Sequence, residues 1–163
     1  MNLQNMTGAQ LNGLFRGASP RDPMPEGFLR GRILTAVLDP YGMFIGEVCR
    51  FWLGKRFELG AGTNVVTPGG RPLLRAVAPS QRLEPTSEGN LEGFPFAVRL
   101  ESGRADPHVD VMALDYGIDS NPSPLLRRLR DELVHVEDSV YLGKILYQVG
   151  QGYRPAGFFS LGD

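Results

Sequence analysis

The order of apolar and polar positions along the chain predicts short strands joined by turns. From Gly27 to Leu38, apolar side chains such as Leu29 and Ile33 alternate with polar ones, and this period of two is typical of a strand that is buried on one side. Glycine, proline and polar clusters separate further apolar segments, several of which show the same alternation. These segments predict strands at 55–59, 63–67, 73–77, 94–101, 108–116, 141–149 and 157–161.

Helical signals are found in three other segments. Thr7 and Gln10 fit a capping box, which predicts a short helix within the N-terminal lead-in, residues 1–26. An Asp-Pro start followed by apolar residues at helical spacing predicts a helix over 39–54. A Ser-Pro start followed by leucines at helical spacing predicts another over 123–133.

Together these elements predict a mainly β protein with a single domain, residues 1–163, since this length suits one domain better than two. An open sheet of seven or eight strands would expose two edges, and closure into a barrel removes them. We therefore expect a closed antiparallel β-barrel with two or three short helices. A barrel of about eight strands can enclose one small ligand.

Three segments, in order along the chain, resemble lipocalin-like bacterial proteins that carry a GXWXG motif followed by a second conserved half of unknown function. Gly27–Gly31 keeps both glycines of the motif and has Leu29 in place of the tryptophan. Trp52–Glu58 is similar to the family's Trp-x-Gly-Lys-Arg-Phe stretch. The third match comprises 114–116, the proline-initiated segment after 123, 136–138, 142–143 and 158–161. The resemblance implies a calycin-type β-barrel and, for most members, no assigned activity.

Charge and composition narrow the functional classes. The 17 basic and 18 acidic residues give a formal net charge of -1, so no overall positive field attracts nucleic acid or an anionic membrane. No apolar run is long enough to insert into a membrane, and the N-terminus lacks the pattern of a signal peptide. One cysteine, Cys49, and two histidines predict neither a disulfide nor a metal site, and no cofactor is expected. We expect a cytoplasmic protein.

Two pairs of residues carry side chains that are suited to catalysis. Lys55 and Arg56 can bind a carboxylate or polarise a carbonyl or enolate oxygen. Asp115 and Tyr116 end a predicted strand, where a carboxylate beside a phenol can act as a general acid and base pair. Structural roles stay open for both pairs, because cations complement a helix C-terminus and an aspartate before a glycine is typical of a turn.

A further group of large apolar or amphipathic residues is predicted to line the barrel and bind the ligand. Tyrosines in such positions offer both apolar contact and a hydrogen bond, although packing in the core or at the rim remains the alternative. The group comprises Leu29, Trp52, Phe96, Met112, Tyr141 and Tyr147.

Three functional hypotheses follow. In the first, the barrel binds a hydrophobic small molecule, held by a few polar groups. In the second, the same cavity belongs to a cofactor-independent cyclase or isomerase of natural-product biosynthesis of the polyketide type, which shapes a flexible substrate and excludes water. In the third, the barrel mediates protein association, for which a filled interior is expected. Strictly apolar walls favour a carrier, whereas convergent charged and phenolic groups favour catalysis. A homodimer is compatible with each.

Overall fold

Eight antiparallel strands close into a barrel in the computed structural model, which describes residues 2–21, 23–36, 47 and 49–162. Around the barrel the order is β3-β2-β1-β9-β8-β7-β6-β5, and β3 pairs with β5 to close it. The short β4 adds to the edge of β5. The strands are β1 Gly27–Ala36, β2 Trp52–Glu58, β3 Ala61–Val66, β4 Glu84–Pro85, β5 Leu91–Ser102, β6 Asp110–Asp115, β7 Leu129–Glu137, β8 Val140–Val149 and β9 Gly152–Gly162.

This architecture confirms the predicted fold class and supports a calycin-like fold. The hairpin of β5 with β6 forms as the alternation predicts, and that of β8 with β9 forms as predicted on either side of a glycine-rich turn. Two α-helices, α1 Gly8–Arg16 and α2 Arg71–Val77, and short 3-10 turns complete the described part of the chain. Within that part, no helix has the length and apolar character that crossing a membrane requires.

Helix α1 begins at the predicted capping box and packs on the outside of the barrel. The Thr7 hydroxyl accepts a hydrogen bond from the Gln10 backbone, and the Gln10 side chain accepts one from the Thr7 backbone. The buried Leu11 and Phe15 belong to an apolar cluster with outward-facing residues of the sheet. The helix thus covers one outer face of the barrel, formed by Val111, Ala113, Val134, Leu142 and Phe158.

A buried ion pair lies under α1. The Lys144 ammonium on β8 contacts the carboxylate of Asp106 in the β5–β6 loop and donates to Asn12 Oδ1 at 2.7 Å. Arg16 Nε lies 2.6 Å from the other oxygen of Asp106. Residues from the helix, a loop and the sheet therefore share one charged cluster, which ties α1 to the barrel.

The helix predicted over 123–133 is wrong. A 3-10 turn at Leu126–Arg128 leads directly into β7, which lies between β6 and β8. The leucines at 129 and 133 fit a helical stripe, but they also fit a strand, and closing the sheet requires a strand here. Charged residues on both faces of β7 hid its alternation: Asp131 faces the interior, while Arg130 and Glu132 pair with each other outside.

The strand predicted over 73–77 is also wrong, because these residues belong to helix α2. Prolines at 68 and 72 stand at the starts of a 3-10 turn and of α2, where their fixed φ is favourable. The buried Leu74 of α2 packs against the interior core. Most of the helix predicted over 39–54 lies outside the described residues. Positions 47 and 49 are helical, and the predicted end near Gly54 is wrong because β2 already begins at Trp52.

Candidate functional site

A lysine is buried inside the barrel. Lys55 on β2 is 2% exposed, and its Nζ lies 2.8 Å from Asp131 Oδ2 on β7. The ammonium also donates hydrogen bonds to Asn64 Oδ1 at 2.9 Å and to the Tyr116 hydroxyl at 2.6 Å. Its three N–H donors thus match three oxygens. We call these residues, Lys55, Asn64, Tyr116 and Asp131, the interior polar cluster.

Barrel closure brings this cluster together from two opposite walls. Lys55 and Asn64 are register partners on β2 and β3. Tyr116 follows β6, and Asp131 lies on the adjacent β7. In the closed strand order, β2 and β7 are four steps apart in either direction. The Lys55–Asp131 ion pair therefore crosses the interior of the barrel.

Tyr116 connects the charged groups. Its hydroxyl accepts from Lys55 and from Asn64 Nδ2 and donates to Asp131 Oδ2, the last two contacts at 3.0 Å. Burial, reinforced by the negative charge of Asp131, raises the pKa of Tyr116 well above its ordinary value. The phenol is therefore protonated at neutral pH, and it stands beside a carboxylate that can accept a proton.

Asn64 fixes the geometry of the cluster. Its Oδ1 also accepts from Trp52 Nε1 at 3.0 Å, and its Nδ2 donates to the Phe94 carbonyl at 3.0 Å. Phe94 has a φ of 53°, a left-handed conformation that is rare and strained for a bulky side chain. Strain of this kind is frequent at functional sites and persists only where surrounding contacts enforce it.

Aromatic rings surround the Lys55 ammonium. Among the described residues, the ring centroids of Phe96, Tyr116, Phe159 and Trp52 lie 5.1, 5.3, 5.4 and 5.5 Å from Nζ. Trp52 and Phe159 also meet edge to face. Ring faces attract a cation, most strongly where water is excluded. We call these four rings the aromatic cage.

Glycines on neighbouring strands make room for the cage. A Cβ atom at Gly31 would lie 2.2 Å from the Trp52 ring, and one at Gly143 would lie 2.2 Å from the Phe159 ring. A Cβ atom at Gly62 would lie 2.6 Å from the Phe96 ring. These three rings therefore pack directly against glycine backbone, and a larger residue at any of these glycines would displace them.

Gly143→Ala is expected to destabilise the protein by about 1–3 kcal/mol, because the added methyl group overpacks the interior against Phe159. Urea unfolding monitored by circular dichroism measures this change. Gly152→Ala is the matched control, since nothing lies within 4 Å of a Cβ there, and it is expected to change stability by less than about 0.5 kcal/mol. Equal stability of the two variants would contradict the packing of the cage on glycine.

Most residues predicted from the sequence lie inside the barrel. Lys55, Tyr116, Trp52 and Phe96 meet in the cluster and its cage. Buried members of the same interior core include Leu29, Met112 and Tyr141. Tyr147 is buried as well, with the Arg128 guanidinium 5.2 Å from its ring centroid.

Arg56 and Asp115 lie apart from the cluster. Arg56 pairs with Glu92 at 2.6 Å, and its guanidinium lies over the ring of Phe28. Asp115 accepts a hydrogen bond from the Gly117 backbone at 2.8 Å, as in a turn. Both side chains alternate with interior neighbours, Lys55 and Tyr116, and so point away from the interior.

Asp131 and Asn64 complete the site and were not predicted. Asp131 lies in the segment for which the leucine spacing indicated a helix with a solvated face, and Asn64 lies next to a glycine-rich turn. A strand period over 129–133 would have placed Asp131 between Leu129 and Leu133 on an apolar face. A lone carboxylate on such a face indicates that a cation or hydrogen-bond donor is buried beside it.

Cys49 does not offer a reactive thiolate. Burial, only partly offset by the charge of Lys55, raises the pKa of this thiol to about 12. The thiol is therefore protonated at neutral pH. The residue itself is half-buried.

Comparison with known proteins supports the fold and no more. No protein-family model matches the sequence, and no curated protein matches it either. A crystal structure of a protein from Thermomonospora curvata is similar, with a TM-score of 0.56 and 16% sequence identity over 99% of this chain and 98% of that chain. At this identity the similarity shows a shared fold along nearly the whole of both chains.

Proposed function

We propose that the protein binds a small organic molecule with a mainly apolar body inside its barrel, at the interior polar cluster. The buried Lys55–Asp131 pair carries this proposal. Apolar residues of similar volume stabilise a protein interior as well as a buried ion pair does, or better. The Lys144–Asp106 pair ties a helix and a loop to the sheet, but the Lys55–Asp131 pair lies in the middle of the barrel, where recognition or catalysis gives a better reason than stability for charged groups.

Charge balance favours an uncharged ligand. The formal charges of Lys55 and Asp131 cancel, so an ion added beside them would be buried without a counterion. A carbonyl or hydroxyl group can exchange hydrogen bonds with the cluster, while the cage rings contact a conjugated or apolar body. Trp52 and Leu129 are only partly buried, at the end of the barrel where β2 and β7 begin, and this end is the proposed entrance.

Catalysis is the second candidate function. Tyr116 is a protonated acid, and Asp131 is a carboxylate at hydrogen-bond distance from it. Such a pair can move a proton within a substrate that the barrel shields from water. A cofactor-independent cyclase or isomerase of natural-product biosynthesis fits this arrangement. We also propose that this chain belongs to the lipocalin-like GXWXG family.

Native mass spectrometry and a thermal-shift screen test the proposal. Uncharged ketones, aldehydes and alcohols with polyene or aromatic bodies are expected to raise the melting temperature. A ligand at a free concentration of about 100 times its Kd stabilises the folded state by about 2.7 kcal/mol. The corresponding carboxylates are expected to have little effect. A carrier returns its ligand unchanged, whereas a cyclase or isomerase returns a product of equal mass.

The control for this screen is the double variant Lys55→Met with Asp131→Leu, which removes both charges from the interior. It is expected to remain folded and to lose the shifts given by carbonyl compounds. If the variant binds the same compounds as tightly as the natural protein, the cluster is not the binding site. If no compound shifts either protein, the binding proposal itself fails.

A further inference from the structure

Lysine is restricted to two buried positions in this chain. Of the 17 basic residues, 15 are arginines, and the two lysines are Lys55 and Lys144. These lysines are 2% and 1% exposed, so every exposed residue of this basic set is an arginine. A lysine amine is thus absent from the surface and present inside the barrel. Arginine keeps its charge and is no nucleophile, whereas a lysine amine can react.

We propose that Lys55 binds an aldehyde or ketone covalently, as a Schiff base. This inference rests on the proposed function and specifies its ligand class. The amine is buried among aromatic rings that exclude water, and exclusion of water slows hydrolysis of an imine. A carboxylate lies 2.8 Å from Nζ and a phenol 2.6 Å from it, so a proton acceptor and a proton donor both reach the reacting nitrogen.

The reaction balances with groups that the cluster supplies. Lys55 passes one proton to Asp131, and the free amine forms a C–N bond to the carbonyl carbon. The carbonyl oxygen takes up a proton through Tyr116 as the nitrogen loses one, which leaves a neutral carbinolamine. Asp131 then returns its proton to the hydroxyl group, the C–O bond breaks, and water leaves. An iminium group remains, with Asp131 again a carboxylate.

Charge conservation makes Lys55 suitable for this step. An ammonium and an aldehyde give an iminium and water, so one positive charge is present before and after the reaction. The buried Asp131 carboxylate therefore has a counterion both before and after the reaction, and in both states the cage rings face a cation. Lys144 serves as an internal comparison, because it is equally buried beside an aspartate but lies outside the barrel under α1.

Reductive trapping tests the Schiff base on the intact protein. Trans-cinnamaldehyde is added with sodium cyanoborohydride, and the protein is analysed by intact mass and peptide mapping. We expect one adduct whose added mass is that of the aldehyde less one oxygen atom, located on Lys55, with Lys144 at background. Because mapping is done on the natural sequence, the result does not depend on the folding of a variant. Adduct on Lys144 or the N-terminus alone would overturn the proposal.

Two comparisons sharpen this test. Lys55→Arg keeps the cation and removes the amine, so it is expected to lose the adduct, whereas Lys144→Arg is expected to retain it. Cinnamyl alcohol has the same apolar body and forms no imine. If the alcohol binds in native mass spectrometry and the aldehyde leaves Lys55 unmodified, the Schiff base is overturned while the binding proposal stands. If neither compound binds or reacts, both proposals lose their support.

Discussion

Lys55→Met alone is expected to lower the free energy of unfolding by about 3–5 kcal/mol, because it leaves Asp131 buried without its counterion. Asp131→Leu alone is expected to have a similar effect through an unpaired ammonium. The double variant is expected to be as stable as the natural protein, or more stable by about 1–4 kcal/mol, because methionine and leucine fill the interior without burying charge.

Urea unfolding of the natural protein, the two single variants and the double variant measures this cycle at neutral pH. A large coupling energy with recovery in the double variant means that the ion pair is not required for stability, which strengthens its functional interpretation. If the double variant is instead destabilised by the sum of the two single effects, the pair is a structural element. The buried charges would then no longer indicate a ligand.

Asp106→Ala is the second change with a large expected effect, again about 3–5 kcal/mol, because Lys144 would stay buried without a carboxylate. Arg16 would lose the same partner, so α1 is expected to detach more readily from the sheet. Hydrogen exchange of the α1 amides, together with urea unfolding, measures both consequences. Asp110→Ala on the exposed start of β6 is the control, with an expected change below about 0.5 kcal/mol.

The Asp106 pair also predicts how stability depends on pH. Burial alone would raise the pKa of Asp106, but hydrogen bonds and charges from Lys144 and Arg16 outweigh it and lower the pKa below its ordinary value. A carboxyl whose pKa is lower in the folded state stabilises the protein above its unfolded-state pKa of about 3.9, and this contribution is lost as the pH falls through the folded pKa. Asp106→Ala should therefore flatten the loss of stability in acid. An unchanged acid profile would contradict the pairing.

Hydrophobic alternation, together with glycine and proline at the turns, predicts most of the barrel, although strands such as β8 bury both faces. Strands β1 and β5 carry a clear period of two, and glycines and prolines mark the turns between strands. The prediction fails at β7, whose interior face carries Asp131 and whose outer face carries the buried Arg130 and Glu132. Polar residues that are buried with partners from distant segments look solvated in a sequence, so their strand cannot be recognised locally.

The candidate site could be predicted only in part, for a related reason. Lys55 and Tyr116 stand out because a cation and a phenol border apolar strands. Their meeting depends on barrel closure, which brings β2 opposite β7 and β3 beside β5. Asp131 and Asn64 carry no local motif, and only their positions on interior faces give them a role.

Side-chain NMR of the two lysines tests the location of the ligand site most directly. In protein labelled with ¹⁵N-lysine, two buried ammonium groups are expected to give two resolved signals, assigned with Lys144→Arg. Cinnamyl alcohol, or any compound that raises the melting temperature, should shift the Lys55 signal in proportion to occupancy and leave that of Lys144 in place. Saturable binding that leaves the Lys55 signal unmoved would contradict a ligand site at the interior polar cluster.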